Sequence, residues 1–255
     1  MRLLVTNCNT SAEVSELIAA EARRAARAGT DILVRTPRWG VSSAESWYDG
    51  YISAASVIDL VASEREPFDA VVMAGFGEPG REGLREQLEV PVIDITEAAA
   101  ALAAPLGHGY AILTSLRRTS AQITASLLTA GLLGAGPGGR LPGAGCTGVY
   151  AIDQPVLDLV TDPEATVAAL VRVGRQALAS GAEVLVIGCA GMSACGPKVS
   201  AELGVPVVDG LAAGIKFAEG LVDLGLRTSK ISCYAPPPDK LRPGWPPASR
   251  SPLPG

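Results

Sequence analysis

Short, continuous apolar runs alternate along the chain with longer stretches in which apolar positions recur at helical spacing. "RLLVTN" at residues 2–7, "DILVRT" at 31–36 and "AVVMAG" at 70–75 have the length and composition of strands buried on both faces. A helix is predicted between the first two from about Ala12, and another through about Ser53 to Ser63. After Gly80 come a short helix, "EGLREQLE", a strand, "VPVIDI", an alanine-rich helix, a strand, "YAILTS", and a helix, "TSAQITASLLTAG". "TVAALVRVGRQALASG" reads as an amphipathic helix ending near a glycine, and it feeds directly into "VLVIGC". Strands alternating with helices predict βαβ units and mainly parallel pairing.

An internal repeat organises these elements. Residues 69–98 lie over residues 183–213 with a gap of one residue, so that "EVPVID" from Glu89 meets "GVPVVD" from Gly204. In this alignment Gly75 stands where the second copy has Cys189. "LLVTNCNTS" from Leu3 and "YAILTSLRRTS" from Tyr110 correspond more loosely. The expected fold is α/β, with two pseudo-symmetric Rossmann-like lobes, mainly parallel sheets and a cleft between them. Residues 1–100 with about 211–235 are assigned to the first lobe, 101–210 to the second, and 236–255 to a proline-rich tail. Ligands of parallel sheets lie beyond the carboxyl ends of strands, so the turns at 7–11, 75–80, 114–118 and 189–193 are expected to face one cleft.

Composition narrows the function. Hydrophobic residues make up 48% of the 255 against 18% charged, and the net charge is -5 without a basic cluster, which argues against nucleic-acid and anionic-membrane partners. The uncharged run 98–116 is broken by Pro105, Gly107, His108 and Gly109, so no membrane span is read. The N-terminus lacks the apolar segment of a signal peptide, and a cytoplasmic location is the expectation. Five scattered cysteines, Cys8, Cys146, Cys189, Cys195 and Cys233, read as thiols rather than a disulfide frame. With no CxxC pair and His108 as the sole histidine, a zinc site is not expected. "GAGPGGRLPGAGCTG", read as a glycine-rich loop containing Cys146, lacks the order of a phosphate loop.

Cys189 ends a strand just before a helical turn, where backbone N–H groups are expected to favour its thiolate. Such a group suits nucleophilic attack or proton exchange with a carbon acid. Simple packing is the other reading for a strand cysteine, and it is the preferred one for Cys195. Trp39, Trp47, Tyr48 and Phe76 fit either a pocket wall or the packing of a lobe.

Several ordered motifs add a resemblance. "NCNTS" is similar to N-P-N-T-S, "GVSSAES" to G-P-x-S-I-E-S and "GFGEPG" to C-F-G-D-P-G, while "IGCAGM", "GVPVVDG" and "LGLRTSK" match as they stand, followed by "CYAPPPDK". Residues 1 to about 240 thereby resemble the aspartate/glutamate racemase superfamily in its hydantoin and allantoin racemase branch. The resemblance implies a cofactor-independent, usually oligomeric enzyme acting on a small molecule. In its racemases two cysteines flank the substrate's α-carbon, one removing a proton and the other delivering one to the opposite face. Carried over by motif, Asn9, Thr10, Ser11, Ser43 and Glu45 would contact substrate, as would Phe76 and Gly77 beside Gly75. Thr114 and Ser115 would contribute hydroxyls, and Ala190 and Gly191 N–H groups beside Cys189. Capping or solvation explains Ser43 and Glu45 equally well.

The chain departs from the pattern where the first cysteine belongs, because Gly75 has no proton to give. Three explanations stay open. Cys8, in the proline position of the first motif, supplies the missing acid; or one cysteine suffices, as in the superfamily's arylmalonate decarboxylase; or the chain performs another carbon-acid reaction, or binds without catalysis. The leading expectation is a racemase-like enzyme using Cys189 as acid/base on a small cyclic amide or amino-acid-like substrate.

Overall fold

The buried apolar runs become the centres of two four-stranded, wholly parallel sheets in the computed structural model, which describes residues 1–77, 80–132 and 145–245. In the first sheet β1 (Arg2–Thr6), β2 (Asp31–Arg35), β3 (Ala70–Met73) and β4 (Val92–Asp94) are ordered β2-β1-β3-β4. In the second, β5 (Gly109–Thr114), β6 (Gly145–Ala151), β7 (Val184–Ile187) and β8 (Val207–Asp209) are ordered β6-β5-β7-β8. The same order in both bears out two repeated α/β lobes.

The connecting helices are α1 (Ala12–Ala25), α2 (Trp47–Ser63), α3 (Arg81–Gln87), α4 (Ile95–Ala103), α5 (Ser120–Thr129), α6 (Pro163–Ala179), α7 (Gly196–Leu203) and α8 (Gly210–Asp223). Asp94 and Asp209, the matching last residues of "VPVID" and "VPVVD", cap α4 and α8 by accepting the N–H groups of Thr96 and Ala212. The two helices then pack on each other, α4 reaching β7 and β8 and α8 reaching α1, β3 and β4. One apolar core consequently runs through both lobes, joining Leu3, Val5 and Ile93 to Ile112, Val186 and Ile215. Among the described residues no helix is long and apolar enough to cross a membrane.

Two elements differ from expectation. Helix α2 starts at Trp47, well before Ser53, because Ser46 accepts the Asp49 N–H and starts it earlier than its apolar periodicity suggests. Strand β6 occupies the end of the stretch read as a glycine-rich loop, so Cys146 lies on a strand paired with β5. As an edge strand, half-buried beyond its first residue, β6 is defined by backbone pairing rather than by an apolar run. The rest of that predicted loop, residues 134–144, lies outside the described residues, as do Leu133, Glu78, Pro79 and the tail beyond 245.

A buried ion pair holds the segment that follows β3. Arg81, 1% exposed, places Nη1 2.7 Å from Oδ2 of Asp94, which is fully buried, and its guanidinium also contacts Glu82. Ser126 of α5 donates to the same Asp94 oxygen at 3.3 Å, tying the second lobe to the pair. Burial outweighs the attraction of Arg81 and pushes the Asp94 carboxyl up to about 6. Replacing Arg81 with Ala leaves that carboxylate unpaired, and a loss of about 3–5 kcal/mol is expected in urea unfolding at neutral pH. Because the folded chain holds the Asp94 proton that the unfolded chain releases, this group's stabilising effect is complete below about pH 4 and is lost as pH rises through about 6. The Arg81→Ala deficit should therefore be smallest near pH 4 and grow toward pH 7; a pH-independent deficit would contradict the assignment.

Candidate active site

The carboxyl ends of β1, β3, β5 and β7 open on one cleft, as parallel strands in matching lobes require. Its first wall begins with a tight asparagine turn. Asn7, wholly buried, donates from Nδ2 to Asn9 Oδ1 at 3.0 Å and Ser15 Oγ at 2.9 Å, while its Oδ1 accepts the Asn9 N–H at 3.2 Å. Asn9 Oδ1 also accepts the Ser11 N–H at 2.9 Å. This network holds Cys8 and Asn9 on the cleft wall, and Ser53 of α2 steadies the Cys8 carbonyl with a hydrogen bond. Gly75 and Phe76 continue the wall after β3.

The second wall carries Thr114 and Ser115 at the end of β5, followed by Cys189, Ala190 and Gly191 after β7. Thr114 and Ser115 are 2% and 5% exposed, and their hydroxyls have no hydrogen-bond partner among the described residues. Both therefore keep unused hydrogen-bonding capacity on the cleft wall. Gly188 brings the cysteine in close: a Cβ there would lie 2.7 Å from Ile112 Cγ2 and 2.9 Å from the Leu113 carbonyl oxygen. Any side chain would push Cys189 away from β5.

The remaining predicted residues shape this cleft from outside its lining. Thr10 donates through both N–H and hydroxyl to the Val41 carbonyl, and Ser11 caps α1. Ser43 donates to Glu45, whose Oε1 also accepts the Val156 N–H of the second lobe at 2.9 Å. Gly77, at φ +76°, donates to Thr96 Oγ1 at 2.7 Å and accepts from Gln122 of α5. Thr119, Gln122 and Val156, with Val14, Gly50 and Ser53, also line the cleft beyond the residues that the motifs pointed to. Asn7, the first residue of the turn at 7–11 expected to face the cleft, lines it too, and its part in holding that turn shows only in the structure.

The other cysteines lie apart. Cys195 packs in the second lobe's core, Cys146 is on β6 and Cys233 is exposed; none of the five is in a disulfide. Trp39 donates to Asp59 and Trp47 stacks on Tyr51, and of the four aromatic residues considered only Phe76 lines the cleft. Among the described lining residues no side chain carries a charge.

This neutral wall changes the expectation for Cys189. The N–H groups of Gly191 and Met192 do favour its thiolate, but burial is the larger effect, and with Cys195 and the Glu45 carboxylate adding to it the thiol is pushed up to about 11. Cys189 therefore rests as a neutral thiol, an acid with a proton to give. Alkylation by iodoacetamide, followed by mass spectrometry of the Cys189 peptide, should accelerate about tenfold per pH unit from pH 7 to 10 without a plateau. A plateau near pH 8 would contradict the buried-thiol assignment.

Comparison with known proteins agrees with this architecture. Residues 3–218 match the family model for Asp/Glu/hydantoin racemase. The chain is 36% identical over 242 residues to a hydantoin racemase of Pseudomonas sp. (strain NS671), covering 94% of this chain and 93% of the relative. The crystal structure of an allantoin racemase from Pseudomonas fluorescens superposes with a TM-score of 0.88 at 45% identity, covering 95% of this chain and all of that one. An allantoin racemase from Klebsiella pneumoniae gives a TM-score of 0.85 at 37% identity over 94% of this chain and 95% of its own. The chain belongs to the Asp/Glu/hydantoin racemase family and is an isomerase of that racemase class.

Proposed function

We propose that the protein racemises a small, uncharged cyclic amide of the hydantoin or allantoin type by proton transfer at its α-carbon. The observation that carries this reading is a neutral thiol in a cleft whose described lining offers hydroxyls, amides and N–H groups but no cation. A free amino acid or a malonate would bring one or two carboxylates into a wall without a counter-charge, at a desolvation cost that a ring amide avoids. The family relationship to hydantoin and allantoin racemases supports the same substrate class.

In this reading a base removes the α-proton from one face of the ring, and the electron pair moves onto the adjacent carbonyl oxygen. Thr114, Ser115, the Asn9 amide and the Gly191 N–H, all on cleft-lining residues, are the candidate donors to that oxygen. Cys189 then gives its proton to the carbon from the opposite face. The thiol's high pKa suits this donation, and the planar intermediate is the stronger base that receives it.

Gly75 is the observation that favours a second reading, a decarboxylase with one cysteine. Circular dichroism of single enantiomers of allantoin and 5-substituted hydantoins, run beside free amino acids and arylmalonates, separates the two. Racemisation of the ring amides is expected, falling about 10²–10⁴-fold in Cys189→Ser, the range typical of a lost acid–base group. Carbon dioxide release from arylmalonates without racemisation of any ring amide would establish the decarboxylase instead.

A further inference from the structure

The register of the two sheets locates a second thiol more closely than the motifs do. In the first lobe β1 and β3 pair Leu3 with Ala70 and Thr6 with Met73, and the Ala74 N–H continues the ladder to the Thr6 carbonyl at 2.9 Å. Counted two residues past the last pair of this ladder, into the asparagine turn, Cys8 falls level with Gly75. In the second lobe β5 and β7 pair Tyr110 with Val184 and Leu113 with Ile187, and the Gly188 N–H reaches the Leu113 carbonyl at 2.8 Å. The same extension sets Ser115 beside Cys189. Cys8 and Ser115 are therefore one position of the repeat, and Gly75 and Cys189 are the other.

Each lobe thus carries one thiol on the pair of neighbouring strand ends that faces the cleft. The first lobe holds it on the segment that follows β1 instead of the one that follows β3. Cys8, Gly75 and Cys189 all line the cleft, and the unpartnered hydroxyls of Thr114 and Ser115 face the same space. With only hydrogen at position 75, that residue itself places no side chain between the Cys8 strand end and the cleft.

We infer that Cys8 is the second proton-transfer residue of this enzyme, facing Cys189 across the cleft in place of a thiol at position 75. The inference rests on the racemase reading and adds the partner that this reading lacks. In one direction the Cys8 thiolate takes the α-proton: an S–H bond forms, the C–H bond breaks, and the electron pair moves to the ring carbonyl. The Cys189 thiol then delivers its proton to the other face, so that a C–H bond forms and Cys189 is left as thiolate. The net result is an inverted carbon and one proton moved from Cys189 to Cys8. The enzyme is then set for the opposite enantiomer, or resets through solvent.

The test uses a 5-substituted hydantoin, supplied as either enantiomer, with wild type and four variants. Cys8→Ala and Cys8→Pro should each lower racemisation at least 100-fold, a typical loss for an acid–base group. The double variant Cys8→Pro/Gly75→Cys, which moves the thiol to the neighbouring strand end, should recover to within about tenfold of wild type. Such recovery also shows that the Cys8→Pro chain folds. In heavy water Cys8→Ala should exchange the α-proton of one enantiomer without inversion, and Cys189→Ala that of the other, because each retained thiol serves one face. Racemisation by Cys8→Ala within twofold of wild type, or exchange of the same enantiomer by both single variants, would overturn the role of Cys8 and leave the racemase reading standing. A wild-type protein that neither racemises nor exchanges any hydantoin or allantoin would overturn both.

Discussion

Parallel pairing of each lobe's central strand with its neighbour, β1 with β3 and β5 with β7, is the constraint on which the rest of the structure depends. It sends four strand ends to one edge of each sheet, where backbone N–H groups and short polar side chains are left beyond the ladder. The exchange of α4 and α8 between the lobes then turns the two edges toward each other over a shared apolar core. Loss of the ladder in either lobe would remove a wall of the cleft. The surrounding devices, the Asn7 network, the close approach at Gly188 and the buried Arg81–Asp94 pair, set the ends of these strands more finely.

Burial then decides the chemistry. The N–H groups after Cys189 alone would lower the thiol's pKa, and a sequence reading that stops there expects a thiolate. Packing protein around the sulfur, with a carboxylate nearby and no cation on the described cleft wall, reverses the balance. The cysteine is left protonated at neutral pH, which in the proposed reaction makes it the proton donor for one enantiomer and, once it has given that proton, the acceptor for the other. An uncharged lining also fits an uncharged substrate whose only developing charge is the oxygen of a planar intermediate.

Much of this was legible in the sequence because the repeat is chemical as well as architectural. "AVVMAG" and "VLVIGC", with "VPVID" and "VPVVD", preserve strand, turn and cap together, so matching them foretold both sheets and the cleft. Where structure depends on partners distant in sequence, the reading fell short. Strand β6 exists through pairing with β5 and not through its own apolar pattern, and the early start of α2 comes from one capping serine. Thr10, Ser11, Ser43, Glu45 and Gly77 belong to the right motifs, yet their hydrogen bonds go to the protein frame around the cleft. Asn7 was legible as the start of the turn at 7–11 on the cleft, but its part as the hydrogen-bonding centre of that turn was not, because nothing local distinguishes a buried asparagine from a solvated one.

The central claim is that a carbon-bound proton is exchanged between two groups on opposite walls of the inter-lobe cleft. The most direct measurement follows a single enantiomer of a 5-substituted hydantoin in heavy water with the wild-type enzyme, by NMR during the first few per cent of conversion. Exchange between two walls places deuterium at the α-carbon of the inverted product and none in the recovered starting enantiomer, because the proton removed on one face is not the one delivered to the other. Equal labelling of both enantiomers from the outset would assign removal and delivery to one shared group and contradict the two-walled mechanism.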